Sequence, residues 1–196
     1  CLTAGLFPLN TCEVCERVVS VLMGFHRVWL LLSGAVFYKM VVMVAYYQCK
    51  RSKLRMSLKN LETVKNYFKH CVDGKDVERV SEYFDVDVVV HRPDCDAPIG
   101  GLENFKRALS ANVVERYETI KTSFSKEVVT DDVVVVALTH CATGSNTWHG
   151  FNVEGKSLTW TALTYFRFNK EGKVIEEIVE RNELFMAKQL GIISYG

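Results

Sequence analysis

The sequence predicts an α+β domain, with helices first and then a run of antiparallel strands on whose curved face the helices pack. Three observations carry that reading. Apolar residues from Leu58 to Val72 recur at helical spacing. From Tyr117 onward the pattern changes to long strand-like segments rich in β-branched and aromatic residues. Turn signals such as Asp73-Gly74, Thr130-Asp131-Asp132 and Lys170-Glu-Gly172 separate the segments.

Each element follows in order. Leu58, Leu61, Val64, Tyr67, Phe68 and Cys71-Val72 share a helical face that ends near Asp73-Gly74. A second, shorter helix is expected over 75–84, with Val77, Val80 and Phe84 on one side. Val86 to His91 reads as a strand stopped by Arg92-Pro93. Ile99-Gly-Gly101 turns the chain into a third helix, where Phe105, Leu109 and Val113 share a face. Strands are then expected over 117–129, 133–141, 157–168 and 173–182, with a hairpin turn at Lys170-Glu-Gly172. A short helix over 183–190 closes the pattern.

Charge divides the chain. Residues 1–55 hold seven basic against two acidic side chains, a net of +5, whereas 56–196 hold 17 against 21, a net of −4. The total of +1 gives no reason to expect nucleic acid or an anionic membrane surface as a partner. Two segments are therefore expected: an apolar and basic N-terminal extension, 1–55, and a domain, 56–196. Met56-Ser-Leu-Lys-Asn reads as the natural start of that domain.

The extension has four readings: upstream sequence, a leader, a membrane anchor or a structured addition. The stretch 18–47 is mostly apolar and long enough to span a bilayer, but His26-Arg27 and Lys39 interrupt it. A Lys at the centre of a span costs on the order of 3 kcal/mol. If the stretch inserts, Lys50-Arg51-Ser-Lys53-Leu-Arg55 places the C-terminal domain in the cytosol. The expected location is cytoplasmic, with a single-pass anchor as the alternative. Cys12 and Cys15 have the spacing of a redox or zinc half-site, but no second pair or nearby His completes it. Cys71, Cys95 and Cys141 read as reduced thiols.

The order of elements over 57–191, with Asp73-Gly-Lys-Asp76, Gly100-Gly101-Leu-Glu-Asn-Phe105, Thr143-Gly144, Gly150, Gly155-Lys156 and the run Tyr165 to Gly191, resembles the SnoaL-like polyketide cyclases of the nuclear-transport-factor-2-like superfamily. That resemblance implies a cone: a strongly curved antiparallel sheet with the N-terminal helices packed on its concave face. It also implies a mostly apolar pocket for a small carbonyl-bearing molecule, cofactor-independent proton transfer, no metal, and a homodimer formed through the outer face of the sheet. In the family the last strand ends in an Asp that acts as general acid/base. Counting back from Gln189, the matching position here is Asn182, an amide that cannot exchange a proton at neutral pH.

The candidate residues follow from strand alternation and that match. Glu176, Ile178, Glu180 and Asn182 are expected on one face, taken as the pocket face. Glu180 is then the candidate acid or base, Asn182 the group that places a carbonyl, and Ile178 a lining residue. His91, at the end of the first strand, is the candidate proton-transfer partner because an imidazole titrates near neutrality. The competing reading of His91 is a structural strand-end histidine, and of Glu180 an exposed carboxylate at the sheet rim. His140 shares a face with Val134, Val136 and Leu138, so it is expected to look inward. Trp160 and Tyr165 lie on opposite faces of their strand, and Trp160 is taken to line the cavity. Tyr67 is expected in the core with its hydroxyl at the pocket edge. Two functions remain open: a cyclase, isomerase or hydrolase, or a ligand-binding or protein-interaction module that has lost the acid.

Overall fold

The computed structural model of the chain describes residues 34–194. The chain divides into two units, Cys1–Arg55 and Met56–Gly196. Helix α1 spans Gly34–Tyr67, so its last turns, from Met56, belong to the second unit. Among the described residues, no helix is long and apolar enough to cross a membrane. Of the apolar stretch 18–47, residues 18–33 lie outside the described residues, as do Cys12 and Cys15.

In the second unit, α1 runs directly into a π-helical turn, Phe68–Val72. The expected second helix is a six-residue 3-10 turn, Val77–Glu82. The strand begins already at Phe84, which leaves too little chain for an α-helix. Strand β1 is Phe84–His91, and β2 is the two-residue Ile99–Gly100. Helix α2, Leu102–Leu109, is also extended by a π-helical turn, Ser110–Val114. Then come β3 Tyr117–Val129, β4 Val133–Gly144, the small hairpin β5 Thr147–Trp148 and β6 Phe151–Asn152, β7 Ser157–Phe168 and β8 Val174–Arg181. Helix α3, Glu183–Gln189, closes the unit.

The main sheet has the order β2-β1-β8-β7-β4-β3. Every neighbouring pair is antiparallel except β1 and β8, which run parallel because the chain leaves β1 through α2 and returns only at the end of the meander. The α+β class and the curved, antiparallel-dominated sheet are as predicted; this one parallel pair is the refinement. Even-numbered side chains of β4 and β7 are buried, among them Val134, Val136, Leu138, Leu158, Trp160 and Phe166. Onto them pack aromatic rings from the helices and β1. The Tyr67 ring lies 4.7 Å from Phe84 and 6.2 Å from Phe166, in edge-on geometry. Each such pair contributes roughly 0.5–1.5 kcal/mol beyond its buried area.

One irregularity decides which face of β8 looks inward. Arg167 pairs with Glu176, but the next residue, Phe168, pairs with Val174, so Ile175 is an extra residue in β8. A bulge of this kind reverses the alternation beyond it. Val174 is buried on the inner face, and after the bulge the inward positions become Glu177, Val179 and Arg181. The expectation that Glu176, Ile178, Glu180 and Asn182 form the pocket face is therefore corrected. Glu176, Ile178 and Glu180 do share one face, as alternation predicts, but it is the outer face; the resemblance, counted back to Asn182, assigns it to the pocket.

Candidate ligand-binding cavity

Between the helical layer and the concave side of the sheet lies a cavity of about 50 Å³. Both π-helical turns contribute to it, through Phe68 and Val72 and through Asn112 and Val113. Such turns widen a helix by one residue and re-aim its side chains, and they recur at functional sites. The volume admits water or a few heavy atoms; pockets for drug-sized ligands are several times larger, roughly 300–1,000 Å³.

The cavity's polar centre is an ion pair. Arg92 Nη2 lies 3.4 Å from Glu177 Oε2. Arg92 follows Val88 and Val90 on the inward alternation that β1 sets up, and its guanidinium carbon sits 5.6 Å from the Phe105 ring centre. Burial raises the Glu177 carboxyl above its ordinary range, opposed by the positive charges of Arg92 and Arg181. Burial alone would lower Arg92, but Glu177 and Tyr67 outweigh it, and the guanidinium is held charged. Tyr67 is pushed well up by burial and by the nearby Glu177 charge, so its phenol keeps its proton. Among the described residues, the buried donors Trp160 Nε1, Arg92 Nε and Arg181 Nε have no hydrogen-bond acceptor.

Arg181 forms a second charged group. Its Nη2 donates to Glu183 Oε1 at 2.8 Å and makes an ion contact with Asp94 Oδ1 at 2.7 Å that lacks hydrogen-bond alignment. Burial would raise Asp94, but Arg181 dominates and holds it below its usual range. Asp94, His149 and Glu183 bring one potential metal-ligand atom each within 4.8 Å of one another. Arg181 already occupies the two carboxylates, so a cation there would have to displace the guanidinium.

His140 is the third polar group. It is 8% exposed and lies among the cavity residues, its ring centre 5.1 Å from Trp160 and 6.0 Å from Phe68. Burial, with the charges of Arg181 and Arg92, pushes its pKa down to about 3, so the ring is neutral at physiological pH. Its Nδ1 lies 3.0 Å from Thr122 Oγ1, and that hydroxyl donates to Asp73 Oδ1 at 2.7 Å.

Of the residues singled out from the sequence, Tyr67, His140 and Trp160 line this cavity together. The others do not face it. His91 is on the outer face of the sheet opposite Ile178, its Nε2 3.7 Å from Glu176 Oε1, because alternation turns it away from Val90 and Arg92. Ile178 is 36% exposed on that same outer face, and Glu180 is exposed. Asn182 caps α3: its Oδ1 accepts from the Phe185 N–H at 3.1 Å. Arg92, Glu177 and Arg181 are the polar residues that sequence reasoning missed. For Arg92 the signal was present, two residues beyond Val90 in a strand whose inner face is Val88 and Val90. For Glu177 and Arg181 the match at Asn182 concealed it, because alternation counted from that residue turns both of them outward.

A curved, aromatic-rich sheet with helices on its concave side and a polar cluster between them defines the α+β cone class. The profile of the SnoaL-like polyketide cyclases matches residues 62–190, and the chain belongs to that family. Among solved structures, a SnoaL-like polyketide cyclase candidate from Jannaschia sp. CCS1 is similar at 18% identity and a TM-score of 0.63, covering 71% of this chain and 96% of that one. A polyketide cyclase candidate from Acidithiobacillus ferrooxidans is similar at 16% identity and a TM-score of 0.61, covering 69% and 96%. IdmH from Streptomyces antibioticus, another such candidate, is similar at 21% identity and a TM-score of 0.57, covering 67% and 98%. At these identities the likeness is one of fold. A search of curated proteins finds no match.

Proposed function

We infer that the domain binds a small, largely apolar molecule carrying a carbonyl oxygen inside the cone and exchanges protons with it through Glu177. The observation that carries this reading is a buried carboxylate in the cavity whose affinity for a proton is raised by burial. A carboxyl shifted toward neutrality can both give and take a proton at working pH. The unsatisfied Trp160 Nε1 and arginine Nε donors suit a ligand oxygen, since each buried N–H left without an acceptor costs free energy. The reaction class is cofactor-independent proton transfer: cyclisation, isomerisation or hydrolysis. Leu163 and Ile178, exposed on the outer face of the sheet, suit a homodimer formed there.

A second reading, a binding module without turnover, is favoured by Asn182, which caps a helix in place of the family's acid. Native mass spectrometry of the gently purified full chain, followed by turnover assays on any captured molecule, separates the two. The catalytic reading expects Glu177→Gln to keep the bound mass and lose turnover. Retention of full turnover in that variant would remove Glu177 from the chemistry. Binding without turnover in the unaltered protein would leave the module.

A further inference from the structure

Behind the cavity, Asp73, Thr122 and His140 form a three-residue chain of hydrogen-bonding contacts. Asp73, in the turn after the π-helical end of α1, is latched to β3 twice: Oδ2 accepts from the Thr122 N–H at 3.1 Å, and Oδ1 accepts from the Thr122 hydroxyl at 2.7 Å. A carboxylate only accepts, so the single hydroxyl proton of Thr122 is committed to Asp73. The oxygen of that hydroxyl is then left as an acceptor toward His140 Nδ1, 3.0 Å away on the paired strand.

We propose that Asp73 and Thr122 are positioning residues that hold His140 as its Nδ1–H tautomer, so that Nε2 is presented as a hydrogen-bond acceptor for a hydroxyl or enol group of the ligand. The proposal rests on the reading of this cavity as a ligand site. Among the described residues, Nε2 has no protein partner, while the ring is otherwise enclosed by Phe68 and Trp160. The charged groups around the ring are Arg181 and Arg92, with Asp73 reached through Thr122 and Glu177 on β8. Two guanidinium groups oppose a third positive charge. His140 therefore accepts a hydrogen bond and orients the donor without taking its proton, which leaves proton exchange to Glu177. The ligand class sharpens accordingly: a hydroxy- or enol-carbonyl compound, whose O–H meets His140 and whose carbonyl oxygen meets the unsatisfied N–H groups.

The test uses the full chain labelled with ¹⁵N, read by long-range ¹H–¹⁵N correlation of the His140 ring at neutral pH. The expected pattern is a protonated Nδ1 and a bare Nε2. Asp73→Asn inverts it. The new amide must keep its oxygen toward the Thr122 N–H, so its NH₂ faces the Thr122 hydroxyl and turns that hydroxyl's proton onto Nδ1. Thr122→Val, which deletes the relay with little change of volume, is expected to give a mixture of tautomers. Backbone spectra of both variants verify that they fold. An Nε2–H ring in the unaltered protein, or an unchanged ring in a folded Asp73→Asn variant, overturns the relay.

Ethanol and its isomer dimethyl ether, three heavy atoms each and small enough for the cavity, then probe the ligand end, with the Trp160 indole N–H reporting entry. Ethanol is expected to shift both Trp160 and His140 Nε2, and dimethyl ether only Trp160. Ethanol shifting Trp160 but not His140 overturns the donor assignment. Neither probe moving Trp160 counts against the ligand cavity itself, and with it against the role given to Nε2.

Discussion

Arg92 Nη2 stands 3.4 Å from Glu177 Oε2, with only 9% and 2% of the two side chains exposed. A pair removed from water to this extent is a poor source of stability, because the attraction roughly repays the desolvation of both ions. Its value is conditional: each partner makes the other tolerable. The charge on the Glu177 carboxylate is therefore adjustable by whatever else enters the cavity.

Removing Arg92 should expose that dependence. Arg92→Met is expected to cost about 3–5 kcal/mol at neutral pH, and Arg92→Met with Glu177→Leu to recover most of it. The sign with pH follows from the raised Glu177 carboxyl. Its folded-state affinity for a proton exceeds that of the unfolded chain, so the penalty is present at high pH. It is relieved as pH falls through the folded-state pKa toward the unfolded value. Urea midpoints of the single variant should rise on mild acidification relative to the unaltered protein. A pH-independent loss would mean that no buried charge had been stranded.

His140 pulls the other way. Its pKa is about 3 in the folded state against 6.5 in the unfolded chain. Below about 6.5 the unfolded state takes up a proton that the folded state refuses, so stability falls with pH by up to about 1.4 kcal/mol per unit. His140→Gln is expected to flatten that decline between pH 6 and pH 4, within the range those two values define. An unchanged slope in denaturant titrations would show that the ring titrates normally and is open to water.

How far the sequence revealed this site can be argued from two strands. On β4 and β7 the alternation is unbroken; it placed His140 on the inner face and set Trp160 opposite Tyr165, and Trp160 is the inward one of the two. On β8 one extra residue, Ile175, reverses the alternation, and the inner face passes to Glu177, Val179 and Arg181. A bulge is set by pairing with neighbouring strands, and Val-Ile-Glu-Glu-Ile-Val reads equally well in either register. His91 is outward for a simpler reason: Val88 and Val90 are buried, so the inner alternation of β1 passes to Arg92 and skips the histidine. Fold class survives such errors because it depends on the order of periodic segments. A site does not, because one residue of slip exchanges every side chain between core and solvent.

Gly144 marks where the strap carrying Trp148 is fastened to the sheet. A Cβ at Gly144 would sit 2.1 Å from the Val153 carbonyl oxygen, and backbone must move to admit it. Gly144→Ala is expected to lower stability by roughly 1–3 kcal/mol and to raise hydrogen exchange in the hairpin of Thr147–Trp148 and Phe151–Asn152. Gly150→Ala is the control. Nothing lies within 4 Å there, and only its φ of +83° opposes a side chain, at about 1–2 kcal/mol. Faster exchange at Trp148 in the first variant alone would identify close backbone approach as the fastening.

Asn182 distinguishes a helix cap from a lost catalytic acid. Its Oδ1 accepts from the Phe185 N–H at 3.1 Å, at the start of a seven-residue helix whose first turn also carries Glu183. Asn182→Ala leaves that N–H unpaired and is expected to cost about 1 kcal/mol, read as a lower melting temperature. Asn182→Asp keeps the acceptor and adds negative charge at the positive end of the helix, so it should match or slightly exceed the unaltered protein. Because residue 182 follows the inward-facing Arg181, the new carboxyl is not expected to alter the cavity groups, and the His140 ring signals should be unmoved. A shift of those signals in Asn182→Asp would mean that position 182 does reach the cavity. The carboxyl would then stand within range of Arg181, and the family's acid would have been replaced in place by an amide.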